Sequence, residues 1–232
     1  ERWYGQKHRA PALQEKAVYG LTEIYQEKIK EGSLIACTGC NSAATLYPIL
    51  PLLNEGVINN DNLTINLGAG VSGAGRDAKQ NIIHAEVSEG VKPYNVGKHR
   101  HIAELEQEFK KASNKKIDIT FIPHLLPQNR GVIVSIPLSL PASLVHKTLK
   151  IFYEDSPFMI ILPIEEVPAT HHIRGSNFCH IGVVSDHNKN RSVVISVLDN
   201  LIKGSAGQAI QNANILFDFD ETSGLLESPI FP

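Results

Sequence analysis

The chain has 232 residues, of which 42% are hydrophobic and 20% are charged, and its formal net charge is −2. This composition is typical of a globular protein with one large domain or two small ones. The near-neutral charge gives no electrostatic basis for binding nucleic acid or an anionic membrane, and no apolar run is long enough to span a bilayer. Three cysteines cannot all pair, and no signal-peptide pattern is present, so we expect a reducing, cytoplasmic compartment.

The first quarter of the chain predicts helical and apolar segments around one short strand. An apolar stripe at helical spacing predicts a single amphipathic helix over Pro11–Glu31. A strand is predicted at Ser33–Ala36, followed by a turn at Cys40. The apolar stretch Leu46–Leu53 is interrupted by prolines, and Asn59–Asn62 predicts a turn.

Strands are predicted mainly in the middle of the chain. Apolar or alternating runs indicate them at Leu63–Leu67, Ile117–Ile122, Gly131–Ile136, Phe158–Leu162, Ile181–Ser185 and Arg191–Leu198. Helices are predicted at Ile102–Ala112, Leu140–Asp155 and Gly207–Phe217. Pro123 and His124 should break the strand before them, and His187–Asn190 should turn a hairpin. Strands gathered in the middle, with helices at the ends, indicate an α+β fold with a mixed or antiparallel sheet.

Cys40 is the most informative single residue. It follows the predicted strand in the sequence Cys37-Thr-Gly-Cys40 and precedes a run of small residues that is compatible with a helix. A cysteine at such a strand-to-helix turn faces unpaired N–H groups and the positive end of the helix dipole. Both favour the thiolate, which is the nucleophilic form, so the pattern predicts covalent catalysis at Cys40.

The same cysteines are open to other interpretations. Cys37 and Cys40 have the spacing of a thiol redox pair, which also lies at a helix start. In a second interpretation they would supply two ligands of a zinc site, and the other ligands would have to come from Cys179-His180 and His171-His172. A third interpretation is two small buried thiols without chemistry.

A glycine-rich segment follows one of the predicted strands. Gly68-x-Gly70-x-x-Gly73 matches the spacing of a dinucleotide-binding loop, but the polar residues after it do not predict the helix that such a loop requires. We instead expect the glycines to let the backbone approach a bound group closely, with Arg76 available for an anion.

A histidine-rich segment offers acid/base groups. His99, His101 and Glu104 lie at the start of a predicted helix, and one helical turn would place the last two on the same face. The alternative is an ordinary solvated helix start. Further along, a proline-flanked loop presents His124 and Arg130, which says little by itself.

Motifs occur in a fixed order along the whole chain. They are Trp3-Tyr-Gly5, Val18-Tyr-Gly-Leu-Thr-Glu23, Thr38-Gly-Cys40, Val71-Ser-Gly-Ala-Gly-Arg76, His99-Arg-His101 with Glu104, Pro123-His-Leu-Leu-Pro-Gln-Asn-Arg-Gly131, Arg174-Gly-Ser-Asn-Phe-Cys179 and Asp199-Asn-Leu-Ile-Lys-Gly-Ser-Ala-Gly-Gln-Ala209. Together they resemble the N-acetyl-gamma-glutamyl-phosphate reductase family of arginine biosynthesis. The family usually has Asn-Pro-Gly-Cys-Tyr-Pro-Thr around its nucleophile, whereas this chain has Cys37-Thr-Gly-Cys40-Asn-Ser-Ala, and Ala69 stands where the family has serine.

The resemblance implies a two-domain enzyme. A Rossmann nucleotide-binding domain comes first, and an α+β domain like the catalytic domain of glyceraldehyde-3-phosphate and aspartate-semialdehyde dehydrogenases follows. We therefore expect residues 1–40 to be the last helix and strand of the Rossmann domain, residues 41–203 the catalytic and dimerisation domain, and residues 204–232 a C-terminal helix and tail. Residues 1–232 alone would then lack the main nucleotide-binding loop, bind NADPH weakly and self-associate.

The resemblance also implies a reaction and its residues. NADPH would reduce N-acetyl-gamma-glutamyl phosphate to N-acetylglutamate semialdehyde through a cysteine thioester, in a homodimer or homotetramer and without a metal. Cys40 would be the nucleophile and His99 the acid/base group. The residues implied for substrate binding are Ser72, Arg76, Tyr94, His101, Glu104 and Arg130, and those for cofactor binding are Gly70, Gly204 and Gln208. The alternatives are a carrier-linked aminoadipyl- or glutamyl-phosphate reductase of lysine biosynthesis, a non-catalytic relic, or a thiol redox protein.

Overall fold

A computed structural model of the chain describes residues 2–58, 62–77 and 79–230. Within these ranges the strands β1 to β9 are, in chain order, Val18–Gly20, Ile35–Cys37, Asn62–Gly70, Lys92–Pro93, Asp118–Leu126, Val132–Leu138, Met159–Ile161, Cys179–Ser185 and Ser192–Leu198. The helices α1 to α7 are Pro11–Gln14, Thr22–Lys30, Cys40–Asn54, His84–Val87, Ile102–Ser113, Ala142–Phe152 and Gly207–Leu216. A π-helical turn, Ile202–Ala206, leads directly into α7. Apart from Asn62, the predicted turn at Asn59–Asn62 lies outside the described residues.

Seven of the described strands form one mixed sheet, in the order β4-β5-β3-β6-β9-β8-β7. The pairs β3–β5 and β7–β8 are parallel, and the other neighbours are antiparallel. Helices α3, α5 and α6 pack against one face of this sheet and bury its alternate apolar residues. The predicted α+β fold with a mixed sheet is therefore confirmed, as is the hairpin of β8 and β9.

The strand register brings the ends of several strands together at one end of the sheet. Ala69, near the end of β3, pairs with Val132 at the start of β6, and Val132 pairs with Leu198 at the end of β9. Leu198 in turn pairs with Cys179 at the start of β8. The loops after β3, β5 and β9 and the loops before β6 and β8 therefore meet at this end of the strands. The side chains described below are gathered there.

The helix predicted over Pro11–Glu31 is wrong in its first half. Only α1 and α2 are helical, and between them β1 pairs in parallel with β2. Val18 and Tyr19 are strand-favouring residues, and a Cβ atom at Gly20 would lie 2.7 Å from the Asn212 amide nitrogen. The close packing of β1 against β2 and α7 overrides a helical stripe that is only a local preference.

The two prolines of Leu46–Leu53 do not interrupt the helix there, since α3 continues through Pro48 and Pro51. A proline inside a helix leaves the carbonyl four residues earlier without its N–H donor. For Pro51 this carbonyl belongs to Tyr47, and it accepts a hydrogen bond of 2.7 Å from the hydroxyl of Tyr153, the residue directly after α6. A partner at the end of a neighbouring helix thus replaces the missing intrahelical bond.

The strand break predicted at Pro123 and His124 is also wrong, because β5 runs on to Leu126. Its outer neighbour there, β4, has only two residues, so this part of β5 lies close to the sheet edge. Proline is tolerated near a sheet edge because its missing N–H removes few of the hydrogen bonds between paired strands there. Its carbonyl still accepts a hydrogen bond of 3.0 Å from the Tyr94 backbone N–H.

A buried ion pair, which the sequence analysis did not predict, joins α2 to the π-helical turn. Lys203 of the π-helical turn is fully buried and contacts the Glu23 carboxylate of α2. Its ammonium also donates to the Gln211 side-chain oxygen at 2.7 Å and lies over the rings of Tyr47 and Phe158. Burial alone would raise the pKa of Glu23, but the Lys203 ammonium outweighs this and lowers it below its usual range.

Lys203→Met is expected to reduce the free energy of unfolding by about 3–5 kcal/mol, because it leaves the buried Glu23 carboxylate unpaired. The matched control is Lys30→Met, which breaks the exposed ion pair with Asp218 (3.1 Å) and should cost less than about 1 kcal/mol. Urea denaturation at pH 7 measures both. The loss should shrink in acid, since the contribution of a carboxyl with a lowered folded pKa is lost as the pH falls through that value. Equal losses for the two lysines would show that the buried pair contributes no more than an exposed one.

Candidate active site

Cys40 is the first residue of α3, directly after the loop that ends β2. Gly39 precedes it in an extended conformation, and its carbonyl accepts the first helical bond from the Ala43 N–H at 2.9 Å. The earlier N–H groups of the helix have no intrahelical partner, and those of Cys40 and Asn41 lie close enough to the thiol to lower its pKa. The strand-to-helix position predicted for Cys40 is what the structure shows.

Glycines allow other elements to pack closely around this cysteine. A Cβ atom at Gly39 would lie 2.7 Å from the His101 Nε2 atom. A Cβ atom at Gly204, in the π-helical turn, would lie 2.5 Å from the Cys40 Cβ atom. A larger residue would therefore require His101 to shift at position 39 and Cys40 to shift at position 204.

Two buried histidines lie beside the start of α3. The rings of His99 and His101 are 4.7 Å apart between centroids, and His99 also packs against Tyr94 at 5.5 Å. The Tyr94 hydroxyl accepts a hydrogen bond of 3.3 Å from the Asn41 amide, whose oxygen lies 3.5 Å from the Cys40 Sγ atom. The structure thus gathers the Cys40 thiol, both histidines and Tyr94 into one cluster.

The groups of this cluster are uncharged near neutral pH. Burial raises the pKa of the Cys40 thiol to about 11 and outweighs the nearby backbone N–H groups that lower it. Burial and then neighbouring charge hold the pKa of His99 and of His101 at about 4. The thiolate expected from the helix start is therefore not the resting form of Cys40.

The hydrogen bonding of His99 defines its tautomer. The His101 backbone N–H donates to the His99 Nδ1 atom at 3.3 Å. In a neutral imidazole the accepting nitrogen carries no proton, so the proton of His99 is on Nε2. His99 therefore presents an N–H donor to the site, while the buried Nδ1 of His101 has no hydrogen-bond partner among the described residues.

Ser72 and Arg130 lie at the same end of the sheet, but both make hydrogen bonds or ion pairs with other residues of the protein. The Ser72 hydroxyl donates to the Asn129 carbonyl at 2.6 Å and accepts from the Asn200 amide at 2.9 Å. Arg130 Nε lies 3.2 Å from the Asp199 carboxylate, which is fully buried. Arg130 is thus partly neutralised by Asp199, although it also lines a cavity of about 430 Å³.

Arg76 is exposed and lines a second cavity, of about 640 Å³, together with Ser72. Within the described residues no hydrogen bond or ion pair connects Arg76 to the Cys40 cluster. Glu104 does reach that cluster, because its Oε1 atom lies 3.9 Å from His101 Nε2. The assignment of these residues to substrate binding stays a prediction.

The residues predicted to bind cofactor, Gly70, Gly204 and Gln208, pack closely against other parts of the protein. A Cβ atom at Gly70 would lie 2.6 Å from the Asn129 carbonyl oxygen, and Gly204 packs on Cys40. Gln208 is fully buried and donates to the Tyr47 hydroxyl at 2.8 Å. After β3 the chain makes only a short 3₁₀ turn, so the Gly68–Gly73 segment does not open a helix of the kind that binds a pyrophosphate.

Residues missed by the sequence interpretation hold these loops together. The Asp199 carboxylate accepts backbone N–H bonds from Gly175 and Leu201 at 2.7 and 2.8 Å. Asn200 accepts from the Gly131 N–H at 2.7 Å. Both residues stand in a motif that carried the family resemblance, but nothing in their local sequence indicates partners so distant in the chain.

The described residues contain no group of three or more His, Cys, Asp or Glu side chains that could hold a metal ion. They also include no helix that is long and apolar enough to cross a bilayer. The cysteines are unpaired: Cys37 is exposed, Cys40 half-buried and Cys179 buried.

Comparison with curated proteins relates the whole chain to one kind of reductase. It is 49% identical to the N-acetyl-gamma-glutamyl-phosphate reductase of Roseobacter denitrificans, over 100% of this chain and 68% of that protein. The enzymes of the same name from Jannaschia sp. and Paracoccus denitrificans are 47% and 48% identical, with the same coverage. The chain belongs to the N-acetyl-gamma-glutamyl-phosphate reductase family. The resemblance inferred from the motifs is confirmed, and an aldehyde-forming reductase of this family implies a nicotinamide coenzyme.

Family and structural comparisons agree with the described architecture of this reductase. Residues 40–200 match the family model "Semialdehyde dehydrogenase, dimerisation domain". The fold is similar to that of aspartate semialdehyde dehydrogenase II from Vibrio cholerae, with a TM-score of 0.69 and 17% identity over 88% of this chain and 69% of the other. A probable aspartate-semialdehyde dehydrogenase from Pseudomonas aeruginosa gives a TM-score of 0.61 and 13% identity, covering 87% and 68%. The expected fold, like the catalytic domain of the glyceraldehyde-3-phosphate and aspartate-semialdehyde dehydrogenases, is confirmed.

Proposed function

We propose that Cys40 and His99 carry out the acyl-transfer half of an NADPH-dependent reductive dephosphorylation of N-acetyl-gamma-glutamyl phosphate. The observation that supports this is the half-buried thiol at the start of α3, beside two neutral histidines, in a chain 49% identical to a reductase of that name. The product is N-acetylglutamate semialdehyde. Neither the carrier-linked reductase nor the non-catalytic and redox alternatives is favoured by the relatives.

The first chemical step is attack of the Cys40 sulfur on the acyl phosphate carbonyl. A C–S bond forms, the bond from carbon to the phosphate oxygen breaks, and the thiol proton ends on the released phosphate. His99 relays this proton: its Nε2–H passes to the departing oxygen, and the vacated Nε2 takes the proton that the thiol loses, so the ring ends neutral. The unpaired N–H groups at the start of α3 stabilise the oxyanion that forms on the carbonyl.

The thioester keeps the carbonyl carbon reducible. The nicotinamide coenzyme of the family supplies hydride to such a carbon. The contribution that we assign to this chain is to bind the acyl group, hold it as the thioester and exchange protons. NADPH as the coenzyme and a cytoplasmic location are parts of the proposal, and the unpaired thiols support a reducing compartment.

The division of the chain into residues 1–40, 41–203 and 204–232 is also part of the proposal. The first segment forms its own two-stranded sheet, separate from the large sheet. It packs against α7, and the Asn212 amide of that helix donates to the Gly20 carbonyl at 3.0 Å. These contacts support a common unit formed by the two ends of the chain.

The test is a reductase assay on the full-length protein, with the nucleotide-binding domain of its family present, using N-acetyl-gamma-glutamyl phosphate and aspartyl phosphate, each with NADPH and with NADH. Semialdehyde formation and coenzyme oxidation are followed together. We expect the highest kcat/KM with the N-acetylated substrate and NADPH. A preference for aspartyl phosphate would overturn the substrate assignment, and equal rates with the two coenzymes would overturn the coenzyme assignment alone.

A second copy of this chain is the partner that we propose for the open face of the large sheet. Helices cover one face, whereas the other presents half-buried apolar residues: Ile122, Ile133, Val184, Val193 and Ile195. These strands lie in the region that matches the dimerisation-domain model. Ile195 and Ser135 pair directly across β9 and β6, so they lie near the centre of this face.

Ile195→Asp is expected to weaken self-association at least about tenfold, because a carboxylate would be buried at the centre of an apolar interface. The control is Ile151→Asp on α6, where the native side chain is 62% exposed on the helical side. Analytical ultracentrifugation measures the dissociation constants of both variants. Dissociation by Ile151→Asp instead would place the interface on the helices.

A further inference from the structure

Tyr19 connects the strand that leads to Cys40 with the helix that follows the histidine pair. It lies in β1 opposite Ala36 of β2, and β2 ends shortly before the nucleophile. Its hydroxyl donates a hydrogen bond of 2.8 Å to the Glu104 Oε2 atom on α5. The residue therefore spans from the small sheet to the large domain at the level of the active site.

The other oxygen of Glu104 faces a histidine of the site. Glu104 Oε1 lies 3.9 Å from His101 Nε2, the nitrogen that also packs against Gly39. The backbone N–H of His101 in turn donates to His99 Nδ1 at 3.3 Å. A continuous series of contacts thus runs from Tyr19 through Glu104 and His101 to His99.

We propose that Tyr19 is a positioning residue for the acyl-transfer reaction, and this inference rests on the proposed function. Its hydroxyl fixes the Glu104 carboxylate beside His101, which holds the imidazole against Gly39 and next to Cys40. Burial and then Glu104 raise the pKa of Tyr19 far above its usual value, so the hydroxyl stays protonated and remains a donor. Tyr19 touches no reacting atom and acts through Glu104.

The chain provides an internal control in Tyr25, one element further along. Tyr25 packs edge-on against Tyr19 with ring centroids 6.2 Å apart, and its hydroxyl donates to Glu108 of the same helix α5. Glu108 is fully buried and paired with Lys111 at 2.6 Å, on the turn of α5 after Glu104. The two tyrosines therefore make the same kind of hydrogen bond to α5, but only that of Tyr19 leads to a histidine of the site.

The experiment compares Tyr19→Phe and Tyr25→Phe in the full-length protein, with the nucleotide-binding domain of its family present. Each variant removes one hydroxyl donor and keeps the ring, so their melting temperatures should fall by similar amounts. We expect Tyr19→Phe to lower kcat by about tenfold to a hundredfold with little change in KM, as misplacement of a catalytic group does. Tyr25→Phe should keep kcat within about twofold of the wild type.

A double-mutant cycle with Glu104→Ala separates positioning from general structural damage. The rate of phosphate release in a single turnover is measured, because it stays measurable in slow variants. If Tyr19 acts through Glu104, then Tyr19→Phe should have no further effect on this rate in the Glu104→Ala background. The proposal is overturned by additive effects in the cycle, by equal losses of kcat in the two tyrosine variants, or by a Tyr19→Phe enzyme with wild-type kcat. An inactive wild type in the same assay would instead count against the proposed function.

Discussion

Cys40→Ser is expected to lower kcat/KM at least about 10³-fold, because a serine hydroxyl ionises far less readily than a thiol and forms no thioester. The assay is semialdehyde formation, combined with intact-mass measurement of the enzyme after mixing with acyl phosphate in the absence of coenzyme. Wild-type protein should gain the mass of one acyl group on Cys40, and the variant should gain none. Turnover within tenfold of the wild type in Cys40→Ser would contradict the assignment.

Cys37→Ser is the matched control for this experiment. Cys37 is exposed, and it lies at the end of β2 rather than at the start of α3. The variant should keep turnover close to wild type, whereas a thiol redox function would need both cysteines. The control also matters for chemical labelling: burial raises the pKa of Cys40 to about 11, so an alkylating reagent should modify the exposed Cys37 first. Protection of Cys40 by substrate is therefore best measured in the Cys37→Ser background.

His99→Ala is expected to reduce kcat by about 10²- to 10⁴-fold, the usual contribution of a positioned acid/base group. Since its pKa is held at about 4 by burial, by His101 and by Arg100, the neutral ring persists well below neutrality. The acid limb of kcat/KM in the wild type should therefore lie near pH 4 rather than near the ordinary histidine value of 6.5.

His187→Ala serves as the control for His99, since it removes an exposed histidine of the β8–β9 hairpin turn. It should leave both kcat and the pH profile unchanged. His101→Ala completes the set, because this ring packs on Gly39 and lies 4.7 Å from His99. If His101→Ala proves the more severe variant, the acid/base role belongs to His101, whose buried Nδ1 is the unpartnered nitrogen.

The secondary structure could be predicted wherever the local pattern agreed with the tertiary contacts. The helix predicted at Ile102–Ala112 and the hairpin strands predicted at Ile181–Ser185 and Arg191–Leu198 begin and end within two residues of α5, β8 and β9. In these segments the apolar residues face the core at the period that the sequence shows. The mixed sheet followed from the order of such segments.

The mistaken predictions arose where a distant partner changed the local preference. Val18–Gly20 looked helical, but pairing with Ile35–Cys37 made it a strand. Pro51 looked like an interruption, but the Tyr153 hydroxyl occupies the carbonyl that it leaves free. Neither partner is near in sequence, so no window of local periodicity contains it.

The sequence by itself determined which chemistry-bearing residues this protein has and, through the order of its motifs, the family to which it belongs. It placed Cys40 at a strand-to-helix turn and His99 and His101 before a helix, as the structure confirms. Only the tertiary structure decided their state: burial makes the thiol and both imidazoles neutral, where the helix start alone favoured a thiolate. Only the fold paired Arg130 with Asp199. Charge state and pairing depend on desolvation and on neighbours far apart in the chain, and these are properties of the packed molecule rather than of any segment.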